Sequence, residues 1–490
     1  MQIGMWYWNT PFAIMPSQAK LLDEIGVTTL YVRTSTFTTD GKRLKRSVPQ
    51  TWGAQSGSQK VVLTFNFDGG LRSHLSELPV ETMARDVAAG IGRSRKEAVA
   101  QGIKVSGFQM DVDCPTRLLP KYAELLVKIR QRLVANGDLQ PGQSFSATAL
   151  QTWLNSRHYQ DLADACDFVV PQFYEGEIGR SIDRIHPISD TDNLVPGMNR
   201  ADRTGHPFFA GLGIYGHSLL FSPKGKLIGT YHGLKPEEAL RHPSLETQSE
   251  IALDDWGHQA DPKQYIGENL LVLRAMKPDQ FGQGLGVKIA YWVPTAEMLR
   301  RELNIVRTSR PSNCQGMILY RFPEPTDALS LPLPTVRAAI LGEETQPSLD
   351  IKMSRKAVPW SLIGTEKTAK GPPYEYHLTL RSLGDVPTDV SPHALGILLR
   401  FSGEGIDLAE LGAFDSVIPG IVSSEGSFQP CALPHANALI LKSFYLGPGA
   451  TLRSGAIRVA ADGPKLEKVE YHAKFNGGFV PYLGSNETRF

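Results

Sequence analysis

The sequence predicts an α/β fold: a (β/α)8 TIM-type barrel with an insertion between its strands 7 and 8, followed by a small β-sandwich domain. Three observations lead to this prediction. Eight short β-rich runs alternate with segments of helical periodicity up to about residue 340. A surplus of chain, residues 216–293, separates the seventh run from the eighth. After residue 373, short runs alternate apolar and polar residues as half-buried strands do.

The eight β-rich runs are the candidate barrel strands. They cover residues 3–8, 28–32, 61–67, 105–113, 144–150, 167–175, 208–215 and 316–322. Apolar residues recur at helical spacing between several of them, as in residues 118–133, where we expect an amphipathic helix. Eight strands with intervening helices make up a TIM barrel, so we assign residues 1–340 to it.

The remaining chain divides into an insertion, a linker and a β-domain. Residues 216–293 contain two further strand-like runs, "NLLVLRAM" and "VKIAYWV", which predict an inserted hairpin or a small subdomain. Residues 341–373 are rich in Pro, Gly, Ser, Thr and charged residues, which is the composition of a linker. The run "YEYHLTLRSL" and the later runs of similar texture predict a β-sandwich over residues 374–490.

The charge of the chain is balanced. Its 490 residues include 51 basic and 50 acidic ones, for a net charge of +1. This balance gives no electrostatic footprint for nucleic acid or an anionic membrane. No apolar run approaches the roughly 18 residues of a membrane span. We therefore expect a small or neutral partner. We expect no cofactor, and "GLGIYG" lacks the spacing of a dinucleotide fingerprint.

The first residues and the cysteines bear on the cellular compartment. The start, "MQIGMWYWNTPF", shows no secretory signal, which leaves open a cytoplasmic protein or an exported one whose signal has been removed. The cysteines lie far apart without a C-x-x-C pair, which favours buried thiols over a zinc site or a disulfide scaffold. They are Cys114, Cys166, Cys314 and Cys431.

The stretch "GFQMDVDCP", residues 107–115, carries two carboxylates in an otherwise apolar run. Because side chains alternate along a strand, Gln109, Asp111 and Asp113 share one face, and the apolar residues between them face the helices. Two carboxylates inside a barrel would cost several kcal/mol without partners, so we place them near the carboxyl end of the strand, at the barrel mouth. The structural alternative is a hydrogen-bonded pair that caps the next helix.

A second strand, "DFVVPQFYE", repeats this pattern. Gln172 and Tyr174 are expected to face inward, and Glu175 opens the following loop. Cleavage of a glycosidic bond requires such paired carboxylates, one to protonate the leaving oxygen and one to stabilise or attack the cationic centre. We expect Asp113 to be the general acid, with Asp111 or Glu175 as its electrostatic or nucleophilic partner.

Further side chains are candidates for substrate binding, and several have a structural alternative. Trp6 and Trp8 either stack on a sugar ring or belong to the core. Arg33 and Arg321 either clamp an acidic sugar or form ion pairs that hold Asp111. The irregularly spaced histidines of the insertion do not predict a metal site. The complete set of expected substrate-binding residues is Tyr174, Gln172, Gln109, Trp6, Trp8, Arg33, Tyr320 and Arg321.

The two acidic strands resemble motifs of the family 18 glycoside hydrolases, the chitinase-like enzymes. "SGFQMDVDCP" is similar to their fourth-strand pattern D-G-x-D-x-D-x-E, with Asp111 on the last Asp and Asp113 in place of the catalytic Glu. "PQFYE" is similar to their sixth-strand M-x-Y-D, and Tyr320 stands where a Trp is usual. Ser106 and Gln109 depart from the pattern, since the family has Asp at both positions. The resemblance covers about residues 1–340 and implies a carbohydrate substrate.

A second resemblance covers most of the chain. A bacterial family of uncharacterised function pairs a barrel with a small β-domain and has a similar D-x-D-C-P strand end, matched here by residues 111–115. This resemblance implies the architecture and no chemistry.

Three functions are therefore compatible with the sequence. The first is a glycoside hydrolase that acts on a polysaccharide or glycan at the barrel mouth. The second is a barrel that binds glycans without cleaving them. The third is a metal-assisted hydrolase that uses Asp111, Asp113 and a nearby histidine.

Overall fold

The fold is that of a computed structural model of the chain. The described residues are 1–174, 179–185, 188–189, 191–247, 270–277, 284–324, 327–359, 373–459, 463–476 and 482–487.

Strands and helices alternate through the first part of the chain. Its strands are β1 (Gln2–Tyr7), β2 (Phe12–Ile14), β3 (Val27–Thr39), β4 (Leu44–Ser47), β5 (Trp52–Gln55), β6 (Lys60–Phe67), β7 (Val105–Asp111), β8 (Ser144–Leu150), β9 (Phe168–Gln172) and β10 (Phe208–Gly213). Its helices are α1 (Pro16–Ile25), α2 (Gly69–His74), α3 (Val80–Ala100), α4 (Leu119–Ala135), α5 (Tyr159–Asp164) and α6 (Thr191–Asp202).

Two groups of elements follow. The first contains β11 (His217–Phe221), β12 (Leu227–Thr230), α7 (Pro236–Arg241), β13 (Leu245–Thr247), β14 (Leu270–Ala275) and β15 (Lys288–Trp292). The chain then continues through α8 (Ala296–Ser309), β16 (Cys314–Tyr320) and α9 (Leu333–Leu341).

After α9, the described residues of the chain form β-strands and no further α-helix. They are β17 (Leu349–Ala357), β18 (Tyr374–Ser382), β19 (Leu395–Phe401), β20 (Ile406–Ala409), β21 (Ser416–Val422), β22 (Phe428–Pro430), β23 (Ala438–Ser443), β24 (Thr451–Arg453), β25 (Ile457–Val459), β26 (Leu466–Ala473) and β27 (Tyr482–Glu487).

Eight parallel strands close into a barrel, which confirms the predicted fold class. In spatial order they are β1, β16, β10, β9, β8, β7, β6 and β3, and β1 pairs with both β16 and β3 to complete the ring. Each of these strands overlaps one of the eight predicted runs. The runs predicted over 105–113 and 167–175 are shorter in the structure, since β7 ends at Asp111 and β9 at Gln172.

The alternation of side chains decides what faces the barrel interior. On β7, Phe108 and Met110 are fully buried in the large core between the strands and the surrounding helices, together with Leu125 and Ile129 of α4. Gln109 between them points the other way, into the barrel. The same rule brings the inward residues of all eight strands together where the strands end, because parallel strands share one carboxyl end.

The segment between β10 and β16 forms a five-stranded antiparallel sheet in the order β12, β11, β15, β14, β13. We call it the inserted sheet. It begins at Gly216, where an added Cβ would lie 1.8 Å from the carbonyl oxygen of Trp292, so only glycine permits this close approach. Beyond it, His217 pairs with Trp292 across β11 and β15.

The C-terminal strands form two antiparallel sheets that share one core. One sheet runs β17, β18, β25, β20, with β24 also on β18, and the other runs β22, β21, β23, β19, β26, β27. Leu378 of β18 and Ile397 of β19 are both fully buried in the core between them. The prediction of a linker over residues 341–373 is wrong for Leu349–Ala357, because β17 pairs with β18 along its whole length. Its polar, charged composition is that of an exposed edge strand.

None of the helices in the described ranges is both long enough and apolar enough to cross a membrane.

Candidate functional site

The carboxyl ends of the eight barrel strands surround the barrel mouth, which has two chemically different halves. Inward side chains of β3, β6, β7, β8 and β9 form one half, which we call the polar half. Aromatic rings on and just beyond β9, β10, β16 and β1 form the other, which we call the aromatic half. The polar half consists of Arg33, Thr36, Asn66, Asp111, Thr148 and Gln172. The aromatic half consists of Trp8, Tyr174, Tyr215 and Tyr320.

Asp111 is held by the two strands that follow it in the barrel. Thr148 Oγ1 of β8 donates a hydrogen bond of 2.7 Å to Asp111 Oδ1, and Gln172 Nε2 of β9 donates one of 3.4 Å to the same oxygen. Hydrogen bonds to an ionised acceptor are stronger than neutral ones. This partly buried carboxylate therefore has a defined orientation in the mouth.

Trp6 and Gln109 lie below the mouth and support it. Trp6 Nε1 donates a hydrogen bond of 2.7 Å to Gln109 Oε1, and Gln109 Nε2 lies 3.4 Å from Ser146 Oγ. Trp6 is 1% exposed and Gln109 is 0% exposed, so neither offers a surface to a ligand in this structure. Our expectation that both bind substrate is corrected: the barrel interior is filled at this level, and the two side chains satisfy each other there.

Tyr320 is the centre of the aromatic half. Its ring stacks on that of Tyr174, with centroids 5.4 Å apart and planes at 11°. Tyr215 and Trp8 meet it edge-on, at 5.0 Å and 5.5 Å. Trp8 and Tyr320 are partly exposed, whereas Tyr174 and Tyr215 are buried. A partly exposed, rigidly packed aromatic surface thus lies opposite the carboxylate.

The sequence analysis missed Tyr215. It is the last residue of the predicted run "FFAGLGIY", which places it at the carboxyl end of a barrel strand, and that position was the available signal. The inserted sheet reaches the same cluster through Trp292, which packs with Tyr215 and Tyr174. His217 lies edge-on to Trp292, with centroids 6.1 Å apart. Burial lowers the pKa of His217 to about 4, so this imidazole is neutral at physiological pH.

Asp113 lies two residues beyond β7 and is exposed. The adjacent Cys114 is buried, and burial, together with the charge of Asp113, raises the pKa of its thiol to about 12. That thiol is therefore no nucleophile at neutral pH. The turn Thr116–Leu118 and helix α4 begin at Pro115 and Leu118, and neither of these N-cap residues makes a side-chain cap hydrogen bond.

The two arginines of the expected clamp have different environments. Arg321 Nη2 lies 3.0 Å from Asp327 Oδ2, an ion pair that fixes it in the loop after β16. Burial lowers the pKa of Arg321, and the Asp327 carboxylate more than offsets this, so that the pKa lies above its usual value. Arg321 is thus neither a free clamp nor a partner of Asp111. Arg33 Nη2 instead donates to Thr36 Oγ1 at 3.0 Å, and Thr36 Oγ1 donates to Asn66 Oδ1 at 2.8 Å.

Two further expectations concern carboxylates and metals. Glu175 lies outside the described residues, so its position relative to Asp111 and Asp113 stays a prediction. Within the part of the chain that the structure describes, no group of three or more His, Cys, Asp and Glu side chains could hold a metal ion.

The fold and site define a class: a closed (β/α)8 barrel whose mouth combines aromatic rings with carboxylate and guanidinium groups. Residues 66–229 match the model of a family described as a domain of unknown function, DUF3142. This match agrees with the predicted resemblance to an uncharacterised family. It includes β7 to β10, which contribute Asp111, Thr148 and Gln172 to the mouth. No curated protein sequence matches the chain.

Several solved structures are similar to this chain at low identity. The spore cortex-lytic enzyme SleL of Bacillus megaterium is 14% identical, with a TM-score of 0.41 over 69% of this chain and 73% of that one. A family GH18 chitinase of Chromobacterium violaceum is 12% identical, with a TM-score of 0.40 over 98% of this chain and 91% of that one. A GH18 chitinase of Cycas revoluta, in complex with (GlcNAc)3, is 12% identical, with a TM-score of 0.41 over 70% of this chain and all of that one.

Proposed function

We propose that this protein binds a glycan in the barrel mouth and hydrolyses a glycosidic bond there. The observation that carries the proposal is the division of the mouth into an aromatic half and a polar half that contains an oriented carboxylate. A sugar ring has an apolar face of C–H groups, which packs on aromatic rings, and a rim of hydroxyls, which needs hydrogen-bonding partners. The partly exposed rings of Tyr320 and Trp8 supply the first requirement, and the buried Tyr174 stacks on Tyr320 behind them. Gln172, Asn66 and Asp111 supply the second.

Asp111, the last residue of β7, and Asp113, two residues beyond it, have different roles in this proposal. Asp113 is exposed at the strand end and protonates the leaving-group oxygen. Asp111, to which Thr148 and Gln172 both donate hydrogen bonds, stabilises the positive charge of the transition state. Glu175 is the alternative partner acid that the sequence offers.

A second candidate function, glycan binding without cleavage, has one observation in its favour. The interior residue below Asp111 is Gln109, an amide bonded to Trp6, and an amide side chain does not relay a proton. The carboxylates of β7 therefore have no third acid beneath them.

The decisive experiment substitutes the acids of β7 in the full chain. Asp113→Asn removes the proton but keeps the shape, so we expect turnover to fall by about 100-fold or more with little change in affinity. Asp111→Asn should lower turnover as well. The control is Asp23→Asn on α1, an exposed position that should leave both unchanged. Release of reducing ends and equilibrium binding are measured on a panel of neutral and acidic polysaccharides.

Two outcomes would change the assignment. If the wild type binds a glycan tightly but releases no reducing ends from any member of the panel, the barrel is a binding protein. If chelation abolishes cleavage and Asp113→Asn abolishes metal uptake, the metal-assisted alternative replaces the proposal.

A further inference from the structure

Arg33 places a positive charge inside the mouth. It follows Tyr31 and Val32 on β3, of which Tyr31 packs inside the barrel and Val32 packs against the outer helices. Arg33 therefore faces inward, level with Thr64 and Gln109 on the neighbouring strands. Its guanidinium reaches up to Thr36, which is level with Asp111 through Asn66. Its side chain is partly buried, and its bond to Thr36 keeps it in the polar half.

The guanidinium of Arg33 is incompletely satisfied. Its Nε is buried and has no hydrogen-bond partner, and within the described ranges Arg33 forms no ion pair with a carboxylate. Other partly buried arginines do form one: Arg46 with Glu97 and Arg321 with Asp327. A charge removed from water without a counter-charge costs free energy, and a bound anion would offset that cost.

The location of Arg33 separates it from two similar side chains. Arg95, Arg200 and Arg458 also have a buried Nε without a partner, but Arg458 forms an ion pair with Glu375. Arg95 and Arg200 lie on α3 and α6, on the outside of the barrel. Arg33 alone of these three lies in the mouth.

Arg33 and Asp111 act on different parts of a ligand. They are on β3 and β7, with β6 between them, and Arg33 is level with Gln109, two residues before Asp111. At the usual strand and residue spacings their backbones are about 12 Å apart. Asn66 of β6 lies between, level with Thr36 on one side and Asp111 on the other. An anionic group bound at Arg33 is thus kept away from the Asp111 carboxylate.

We propose that the mouth selects a glycan that carries carboxylate groups, a polyuronate, and that Arg33 binds one of those carboxylates. This inference rests on the proposed glycan-binding function and adds the substrate class to it. The planar fork of a guanidinium matches the two oxygens of a carboxylate, and within the described ranges Arg33 has no protein carboxylate as its partner.

The test compares acidic polysaccharides with their own neutral forms. Polygalacturonate, alginate and hyaluronate are each used as prepared and after chemical reduction of the carboxyl groups to primary alcohols. Binding of the wild-type full chain is measured by calorimetry, with chitin and cellulose oligomers as neutral probes. We expect an acidic polymer to bind about 10- to 100-fold more tightly than its reduced form, the range for a charged hydrogen-bonded contact.

Three variants assign the preference to Arg33. Arg33→Gln should abolish the difference between native and reduced polymer, because it weakens binding of the native polymer. Arg33→Lys keeps the positive charge but lacks the planar guanidinium, so it should retain part of the preference for the acidic polymer. Arg95→Gln, on the outer surface, is the matched control and should behave as the wild type.

The outcomes separate this inference from the function on which it rests. Equal binding of native and reduced polymers, or binding of the neutral oligomers alone, overturns the acidic preference and leaves glycan binding intact. A preference that persists in Arg33→Gln overturns the role of Arg33. A wild type that binds none of these carbohydrates contradicts the proposed function itself. If Arg33→Gln fails to fold, the wild-type comparison and Arg33→Lys still decide the result.

Discussion

At the scale of single residues, depth in the barrel determines which polar group is used. Gln109 and Asp111 are successive inward residues of β7, yet the first is 0% exposed and the second is only partly buried. Deep in the interior a neutral amide can be fully bonded, here by Trp6, whereas a carboxylate would lose its hydration. One position higher, near water, the carboxylate is tolerated and Thr148 and Gln172 orient it.

A buried acid outside the mouth gives a prediction on pH. Glu302 of α8 is 1% exposed, and burial raises the pKa of its carboxyl from 4.5 to about 8. Between these pH values the folded state keeps a proton that the unfolded state releases, so the free energy of unfolding decreases as the pH rises and levels off above about 8. In Glu302→Gln we expect the free energy of unfolding to decrease less steeply with pH, by up to about 1.4 kcal/mol per pH unit. Urea midpoints at pH 5 and pH 8 measure it.

The control for this prediction is on the same helix. Glu297 has a side chain that is 56% exposed, and Glu297→Gln should keep the pH dependence of the wild type. If the urea midpoint of the wild type is the same at both pH values, Glu302 is ionised in the folded protein and the prediction is wrong.

At the scale of elements, close backbone contacts hold β7 in register. An added Cβ at Gly107 would lie 2.4 Å from the carbonyl oxygen of Ser144 on β8. Such a distance is inside van der Waals contact, and the opposing atom is backbone, which cannot rotate away. The position of Asp111, four residues later on the same strand, depends on this contact.

Gly107→Ala should therefore destabilise the protein by about 1–3 kcal/mol, because β7 and β8 must separate. It should also reduce turnover by displacing Asp111. Gly229→Ala on β12 is the control, since an added Cβ there meets no atom within 4 Å. Thermal unfolding of the two variants makes the comparison, and equal melting temperatures would show that β7 and β8 adjust without cost.

At the scale of the whole molecule, the C-terminal sheets contact the inserted sheet. Val390 is buried in one cluster with Leu271 and Tyr291 of the inserted sheet. Arg241 of α7 forms an ion pair with Asp415, whose side chain is 4% exposed. We propose that the barrel spans residues 1–340 and that the β-sandwich domain begins at Leu349 and supports the inserted sheet, rather than forming an independent module after a long linker.

This arrangement predicts the behaviour of a truncated chain. A chain that ends at residue 345 lacks Val390 and Asp415 and exposes the apolar side chains of the inserted sheet, so we expect it to aggregate. Its soluble fraction and its elution in size-exclusion chromatography are compared with those of the full chain. A soluble monomer that melts at the temperature of the full chain would instead show that the C-terminal sheets are an independent module.

The sequence by itself determined the local pattern of this protein. Eight β-rich runs, the alternation that directs Gln109 and Asp111 inward, and the surplus of chain before β16 all follow from periodicity and length, which are properties of neighbouring residues. Tertiary structure decided which distant side chains meet. Trp6 is bonded to Gln109, 103 residues away, Arg321 pairs with Asp327, and β17 joins a sheet although its composition resembles that of a linker. The reason is physical: closure of the barrel and pairing of edge strands depend on contacts between segments far apart in the chain, and no local pattern records them.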